Sequence, residues 1–445
     1  VRRRIKKLKK TKKILNNDLS NRIFNNLDFS LTKDQNKSIK EINDDLSSDY
    51  KMFRLLQGDV GSGKTVVSFI SAANVIKSNW QVALMAPTDI LARQHYNLAK
   101  KIFKSTGVNI ALLSKNIDIK DKKIIYKNLQ EGNINFIIGT HALFQKNVIF
   151  KKLGLAIIDE QHKFGVRQRI ELSNKGGKDC DILLMSATPI PRTLILTVYG
   201  DMDISFIKEK PNNRKEIITL SKPEEKIDEV ISFIKNQIDK QNQVFWICPL
   251  IEESKKLDYA AAVEKYKFLS KRFSGQVGLI HGNLDLDKRN QVLNSFLNNS
   301  INILVSTTVV EVGIDFPKAN IIVIENANKF GLSQLHQLRG RVGRGNIKSN
   351  CILLYKNNLS EIAKKRIETI KETDDGFTIA ENDLEIRGPG EILGKKQSGT
   401  PTFNIADLSF DEDLLEDARY LASKIIIQNP KLNNDDGQKL KNLLL

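Results

Sequence analysis

The run Gly58-Asp59-Val60-Gly61-Ser62-Gly63-Lys64-Thr65 fits the spacing GxxxxGK[ST], which cradles the phosphates of a nucleoside triphosphate. The chemistry dictates the residue types. Gly58, Gly61 and Gly63 let backbone N–H groups wrap an anion, Lys64 neutralises β- and γ-phosphate charge, and the Thr65 hydroxyl can ligate Mg²⁺. Further along stands Asp159-Glu160-Gln161-His162. Asp159 offers a second, carboxylate hold on the metal, and Glu160 sits where a base could orient a water. Ser186-Ala187-Thr188 carries hydroxyls that could link such a site to a neighbouring domain, although turn chemistry explains the tripeptide equally well. The run from Gln337 to Arg344 is dense in Arg and Gly. Arg341 and Arg344 share one helical face or one turn, from which both could reach a phosphate. An Arg supplied across a cleft to a γ-phosphate stabilises transition-state charge. His162 adjoins the acidic pair and could couple hydrolysis to motion. His95, His141, His281 and His336 read as surface or core-satisfied side chains, and no His pair has metal-ligand spacing.

These residues need rigid elements behind them, and the hydropathy supplies candidates. From about residue 29 to 206, short apolar runs at 53–57, 81–86, 135–138, 153–158 and 182–185 alternate with longer amphipathic stretches. That alternation predicts a parallel α/β sheet. A polar stretch, 208–216, with Pro211, Asn212 and Asn213, reads as a linker. A second series follows at 243–248, 277–280, 301–306, 321–324 and 351–354. Beyond Tyr355 the strand signal fades into helices broken by a Gly/Pro segment, 387–399. The expected division is a basic helical lead-in (1–28), an ATP-binding α/β domain (29–206), a linker (207–218), a second α/β domain (219–356) and a helical tail (357–445). Ligands of open parallel sheets bind at the carboxyl ends of the strands. Lys64, Thr65, Asp159, Glu160 and Ser186 all follow strand candidates, so they should converge on one crevice.

At 445 residues, 27% charged and 40% hydrophobic, the chain has room for two or three globular domains. The net charge is +18, and residues 1–13 hold nine Lys or Arg and no acid, which suggests a polyanion partner, most simply nucleic acid. The chain is also rich in Lys, Asn and Ile, so part of the charge reflects composition bias. Cys180, Cys248 and Cys351 stand apart with no CxxC pair, which argues against a zinc site or a disulfide framework and fits a reducing cytoplasm. No apolar run approaches the roughly 18 residues of a membrane span, and no apolar core follows the basic start. The first residue is Val, which points to missing sequence upstream.

The ordered set resembles a superfamily-two helicase motor. Its nucleotide motifs match Gly58–Thr65, Asp159–His162, Ser186–Thr188 and Gln337–Arg344, with Gly313 and Asp315 on the nucleotide side. Its strand-contact motifs match Ala86-Pro87-Thr88 with Leu91, Ala92 and Gln94; Gly139-Thr140-His141; and Ser306-Thr307-Thr308 with Glu311, Gly313 and Asp315. An upstream adenine-recognition element resembles Phe29, Leu31, Thr32 and Gln35, where a Gln amide can read both a donor and an acceptor. More finely, Gly139–Leu143, Asp159–Val166, Phe330–Gln337 and a tail element, Asp383–Glu391 with Gly394 and Gln397-Ser398-Gly399, resemble the RecG family of branched-DNA helicases. The resemblance runs from about residue 22 onward. It implies an α/β fold of two RecA-like parallel-sheet lobes in tandem, plus a C-terminal, mainly helical translocation element in which Arg387 and Gln397 join Gln161, His162, Ser186 and Thr188 in coupling. It implies ATP and Mg²⁺ as cofactors, with double-stranded and branched DNA as substrate. A single-stranded DNA-binding protein as partner, no membrane, a monomeric state and the bacterial cytoplasm complete what it implies.

Three departures stand out. Lys163 replaces an Arg usual in the family, Lys395-Lys396 replace a Thr-Arg pair, and the family's N-terminal wedge region has no counterpart here. Alternatives stay open: the related motor of the transcription-repair coupling factor, disfavoured by Pro389; a primosomal helicase, disfavoured by the lack of clustered cysteines; a module that clamps branched DNA without unwinding; and an RNA helicase.

Overall fold

Two all-parallel sheets in tandem organise this computed structural model. It describes residues 9–25, 27–114, 117–160, 175–187, 202–209, 216–249, 255–282, 284–307, 316, 318–343 and 348–387, with scattered positions between 417 and 439. The first sheet contains β1 (Phe53–Gly58), β2 (Gln81–Met85), β3 (Ile110–Leu113), β4 (Phe136–Gly139), β5 (Leu153–Ile158), β6 (Asp181–Ser186) and β7 (Asp203–Ile207). Their order across the sheet is β3-β4-β2-β5-β6-β1-β7. The second contains β8 (Ile217–Pro223), β9 (Gln243–Ile247), β10 (Val277–Ile280), β11 (Ile303–Ser306), β12 (Ala319–Ile324) and β13 (Ser349–Tyr355), in the order β10-β11-β9-β12-β13-β8.

Helices α1 (Asp18–Asn25) and α2 (Lys33–Leu46) precede β1, and α3 (Lys64–Lys77) follows it. Helices α4 (Asp89–Ile102) and α5 (Ile119–Glu131) cross between later strands of the first lobe. The second lobe uses α6 (Ile227–Asp239), α7 (Lys255–Arg272), α8 (Leu286–Leu297) and α9 (Leu332–Arg339). Beyond β13 come α10 (Glu361–Glu372) and α11 (Gly376–Arg387). By contact density, residues 190–202 and 380–445 form a separate small unit, most of it outside the described residues.

The central strands are mostly apolar because helices cover both faces of a parallel sheet, with Arg54 and Gln57 of β1 and Asp181 of β6 among the buried exceptions. β2, β5 and β6 are buried at every position. α3 fills the middle of the first core. Its Phe69 packs edge-on against Phe136, with centroids 5.5 Å apart, and also meets Phe103. In the second lobe Phe245, Phe296 and Phe316 form a comparable knot. α2 starts at a capping box in which the Thr32 hydroxyl accepts from Gln35 N while Gln35 Oε1 accepts from Thr32 N. Its Ile39, Ile42 and Leu46, at helical spacing, face the core.

Three strands lie where no apolar run was expected: β3, β7 and β8. β8 also begins inside the stretch expected as linker. The basic lead-in is helical only in part: residues 18–25 form α1, whereas 9–16 carry no helix and Lys9 bridges to Tyr50. Lys10 and Lys13 are buried on the carboxylate of Asp181, at 2.8 and 2.7 Å. A carboxylate with no water access requires such counter-charges. These two lysines are therefore committed to the protein and not to a polyanion.

Candidate active site

β1 ends at Gly58 and α3 begins at Lys64, so the phosphate-binding run is the whole strand-to-helix turn. Gly61 and Gly63 have φ of 80° and 89°, the left-handed region. At Gly63 a Cβ would also fall 2.3 Å from Gln35 Nε2. The Lys64 ammonium donates to the carbonyls of Gly58 and Asp59, at 2.7 and 2.8 Å. Thr65, half-buried, opens the first turn of α3.

The sheet order β5-β6-β1 brings the ends of three strands together at one edge. Asp159 follows β5 and Ala187 follows β6. Asp159 Oδ2 lies 2.8 Å from His95 Nε2 of α4, and Oδ1 accepts from Glu160 N at 3.0 Å. Glu160 adopts a left-handed backbone, φ 49°, and its Oε2 accepts from Ala187 N at 3.4 Å. These contacts push the two carboxyl groups apart. Burial acts to raise Asp159, but the His95 hydrogen bond and the charges of His95 and Lys64 hold it below the usual carboxylate range. Burial and the neighbouring Asp159 charge raise Glu160, against the opposing charges of Lys64 and Arg341. Lys64, Asp159, Glu160 and Arg341 thus share one electrostatic neighbourhood, although Arg341 comes from the second lobe.

The two lobes meet directly at the phosphate loop. His336 Nε2 of α9 lies 2.9 Å from Asp59 Oδ1, and Gly376 N donates to Asp59 Oδ2 at 3.3 Å. A Cβ on Gly340 would lie 3.1 Å from Val60 Cβ, so the two lobes approach closely here. Gln337 is half-buried on the same helix.

The adenine-side residues separate. Phe29 is 46% exposed, whereas Gln35 is buried and its Nε2 donates to Ser62 O at 2.8 Å. Both ends of the Gln35 amide are therefore engaged with the protein, Oε1 by Thr32 N and Nε2 by Ser62 O, and the second contact ties α2 to the phosphate loop.

The expected strand-contact residues follow the carboxyl ends of strands in both sheets. Thr88 caps α4 with its hydroxyl accepting from Leu91 N, and Gln94 lies on that helix. Thr140 and His141 follow β4, buried and exposed respectively, and buried Thr307 follows β11. Ser186 ends β6 and is buried. Arg387 closes α11. Gln161, His162, Thr188, Thr308, Gly313, Asp315, Arg344 and Gln397 lie outside the described residues.

Sequence reasoning passed over His95 and His336. Each is a lone His on a helix, and its partner carboxylate lies 64 and 277 positions away respectively. No local signal marks either one.

The comparisons with known proteins agree with this geometry. The DEAD/DEAH box helicase model matches residues 32–196, and the helicase conserved C-terminal domain model matches 225–346. The structure of Mss116p bound to single-stranded RNA and AMP-PNP shares the fold, with a TM-score of 0.62 at 19% identity over 80% of this chain and 75% of that one. The molecule thus has the two-lobed, RecA-like architecture of the helicase class, with the phosphate-loop motif at the carboxyl edge of its first sheet. A third model, ATP-dependent DNA helicase RecG, domain 3, C-terminal, matches residues 373–443. ATP-dependent DNA helicase RecG of Bacillus subtilis is 48% identical over 95% of this chain and 62% of its own length. The protein of that name from Aquifex aeolicus is 49% identical over 99% of this chain and 56% of its own. The structure of RecG bound to a three-way DNA junction superposes with a TM-score of 0.78 at 43% identity, covering 93% of this chain and 54% of that one. The chain belongs to the RecG family, and spans little more than half the length of these relatives.

Proposed function

We propose that this chain is the ATP-driven motor of a DNA helicase that moves on duplex DNA and remodels branched DNA. The observation that carries the reading is the convergence of the Lys64 loop, the Asp159–Glu160 pair and Arg341 of the second lobe at one sheet edge. Hydrolysis of a phosphoanhydride needs little else than charge placed around the transferring phosphoryl group.

In this reading Lys64 leaves the Gly58 and Asp59 carbonyls to grip the β- and γ-phosphates. Glu160, its carboxyl raised by burial and by Asp159, orients the attacking water and can take its proton. Arg341, with Arg344, enters from the second lobe and stabilises the developing charge. The Thr65 hydroxyl and the ionised Asp159 are hard oxygen donors of the kind Mg²⁺ prefers, and Asp159 keeps lone pairs beyond those used by His95 and Glu160 N. When bound, the ion would neutralise phosphate charge between those two residues. Phe29 and Gln35 mark the adenine side. Cleft closure then shifts Thr88, Gln94, Thr140 and His141 relative to Thr307 and Thr308, along a DNA backbone. Contacts of that kind carry little base readout and strong salt dependence. Action as a single chain, and partnership with a single-stranded DNA-binding protein, belong to the same reading.

The test is steady-state ATP hydrolysis with no nucleic acid, with linear duplex and with a model fork, alongside strand displacement on the fork. DNA-stimulated turnover with displacement is expected. Fork binding that tightens with ATP but displaces nothing would mean a clamp and not a motor. Greater stimulation by RNA than by DNA would overturn the substrate assignment.

A further inference from the structure

Asp59 occupies one of the positions that the phosphate-binding spacing leaves open to any residue. Its side chain is nevertheless buried and held from two sides by the second lobe. Oδ1 meets His336 Nε2 of α9 at 2.9 Å, and Oδ2 accepts from Gly376 N, the first residue of α11, at 3.3 Å. The chain of contacts continues. His336 Nδ1 lies 3.0 Å from Arg339 Nη2, and a guanidinium only donates. Nδ1 therefore accepts, and the ring proton sits on Nε2 and is donated to Asp59. Arg339, 2% exposed, extends Nη1 to the carbonyls of Ile370 and Thr373 at 2.6 and 2.9 Å, at the end of α10. One carboxylate of the phosphate loop thus reaches α9, the α10 terminus and the α11 start.

The backbone of the same residue faces the nucleotide side. Asp59 O accepts from the Lys64 ammonium at 2.8 Å. A phosphate that takes this ammonium removes the donor from the Asp59 carbonyl, and the peptide must find a new arrangement.

We propose that Asp59 is a positioning residue that reports the state of the phosphate loop to the α10–α11 joint through His336 and Arg339. The proposal rests on the nucleotide reading above. The route is separate from the role that the nucleotide reading gives Arg341 and Arg344 at the phosphate. It makes the start of α11 sensitive to nucleotide binding before any hydrolysis.

Hydrogen exchange with a non-hydrolysable ATP analogue and Mg²⁺ tests this on the chain as it stands. Two variants separate the contacts by side-chain length. His336→Asn keeps an acceptor near Nδ1 for Arg339 but cannot reach Asp59, whereas His336→Gln places an N–H where Nε2 was and leaves its Oε1 to accept from Arg339. In the parent the analogue changes exchange at both 58–65 and 374–379. In His336→Asn the first response persists and the second drops at least about threefold, and His336→Gln restores it. DNA-stimulated kcat falls about tenfold in His336→Asn while KM for ATP moves less than about twofold, a split that general loss of folding would not give. A response at 58–65 without one at 374–379 in the parent overturns the proposal, as do Asn and Gln variants that behave alike. No response at 58–65 at all would remove the nucleotide reading first, and the proposal with it.

Discussion

Asp181→Asn should unhook the basic N-terminal segment while leaving the first lobe folded. Asp181 has no solvent access and accepts from Lys10 at 2.8 Å, from Lys13 at 2.7 Å and from Met52 N at 2.7 Å. An asparagine oxygen can keep the Met52 bond but cannot neutralise two ammonium groups. A buried ammonium without a counter-charge can shed its proton at about 1.4 kcal/mol per pH unit, or about 4 kcal/mol at pH 7.5. Two of them set an upper figure of about 8 kcal/mol for staying docked. Burial already holds Lys10 below the usual ammonium range, with the Asp181 charge opposing.

Release returns both lysines to water and gives up the other contacts of the segment. These include Lys10 N to Asp49 O, Lys10 Nζ to Asp45 O, Thr11 N to Asp179 Oδ1, Lys13 Nζ to Asp179 O, Ser78 Oγ to Ile14 O, and the Lys13 ammonium over the Trp80 ring at 4.9 Å. At roughly 1 kcal/mol net each they sum to about 6 kcal/mol, less the chain entropy regained. Release is the cheaper outcome. Limited trypsin digestion should therefore cut after Lys10 and Lys13 on the order of a hundredfold faster in the variant, with the urea midpoint of the remainder little changed. Parent-like cutting, or a lobe that unfolds as a whole, would refute the reasoning.

Lys64→Ala should lower ATP turnover by at least about a hundredfold, and Glu160→Gln should stop turnover while nucleotide and DNA binding persist; filter binding beside a phosphate-release assay separates the two. His95→Ala removes the hydrogen bond to Asp159, so Asp159 should titrate higher and the Mg²⁺ needed for half-maximal turnover should rise about 10–100-fold, as read by metal titration. Burial pushes the thiols of Cys180 and Cys351 up to about 12 and raises Cys248 as well. At pH 8 the first two thiols should carry about a thousandfold less thiolate than an ordinary thiol, so a thiol reagent should label all three only after denaturant is added.

The fold class was legible because a strand buried on both faces must be mostly apolar along its length. That rule finds β1, β2, β5, β6, β9 and β12, which lie inside their sheets. It misses three of the four edge strands. β7 and β8 are partly exposed and mix polar residues into the run, with Ile218 and Leu220 of β8 turned outward, whereas β3 is apolar but only four residues long, Ile110–Leu113. The phosphate loop and the acidic pair were legible because their chemistry is local in sequence. His95, His336 and the Asp59 side chain were not, because their partners come from other elements and, for His336 and Asp59, from another lobe. The same limit hid Lys10 and Lys13: a basic run looks alike whether it meets a polyanion or a single buried carboxylate.

The strand order has a consequence for how the molecule comes into being. β1 carries the phosphate loop, yet its two neighbours in the sheet are β6 and β7, the last strands of that lobe to be synthesised. β8, the first strand of the second lobe, pairs only with β13, the last. At about 5–20 residues per second a ribosome leaves β1 waiting on the order of ten seconds for a partner. The nascent chain therefore holds unpaired apolar strands through most of each lobe's synthesis, and it is in that interval that it is most open to holdase capture or to aggregation. The phosphate loop gains its seat only with the closing strands, so a chain that stalls inside the first lobe never builds the candidate site.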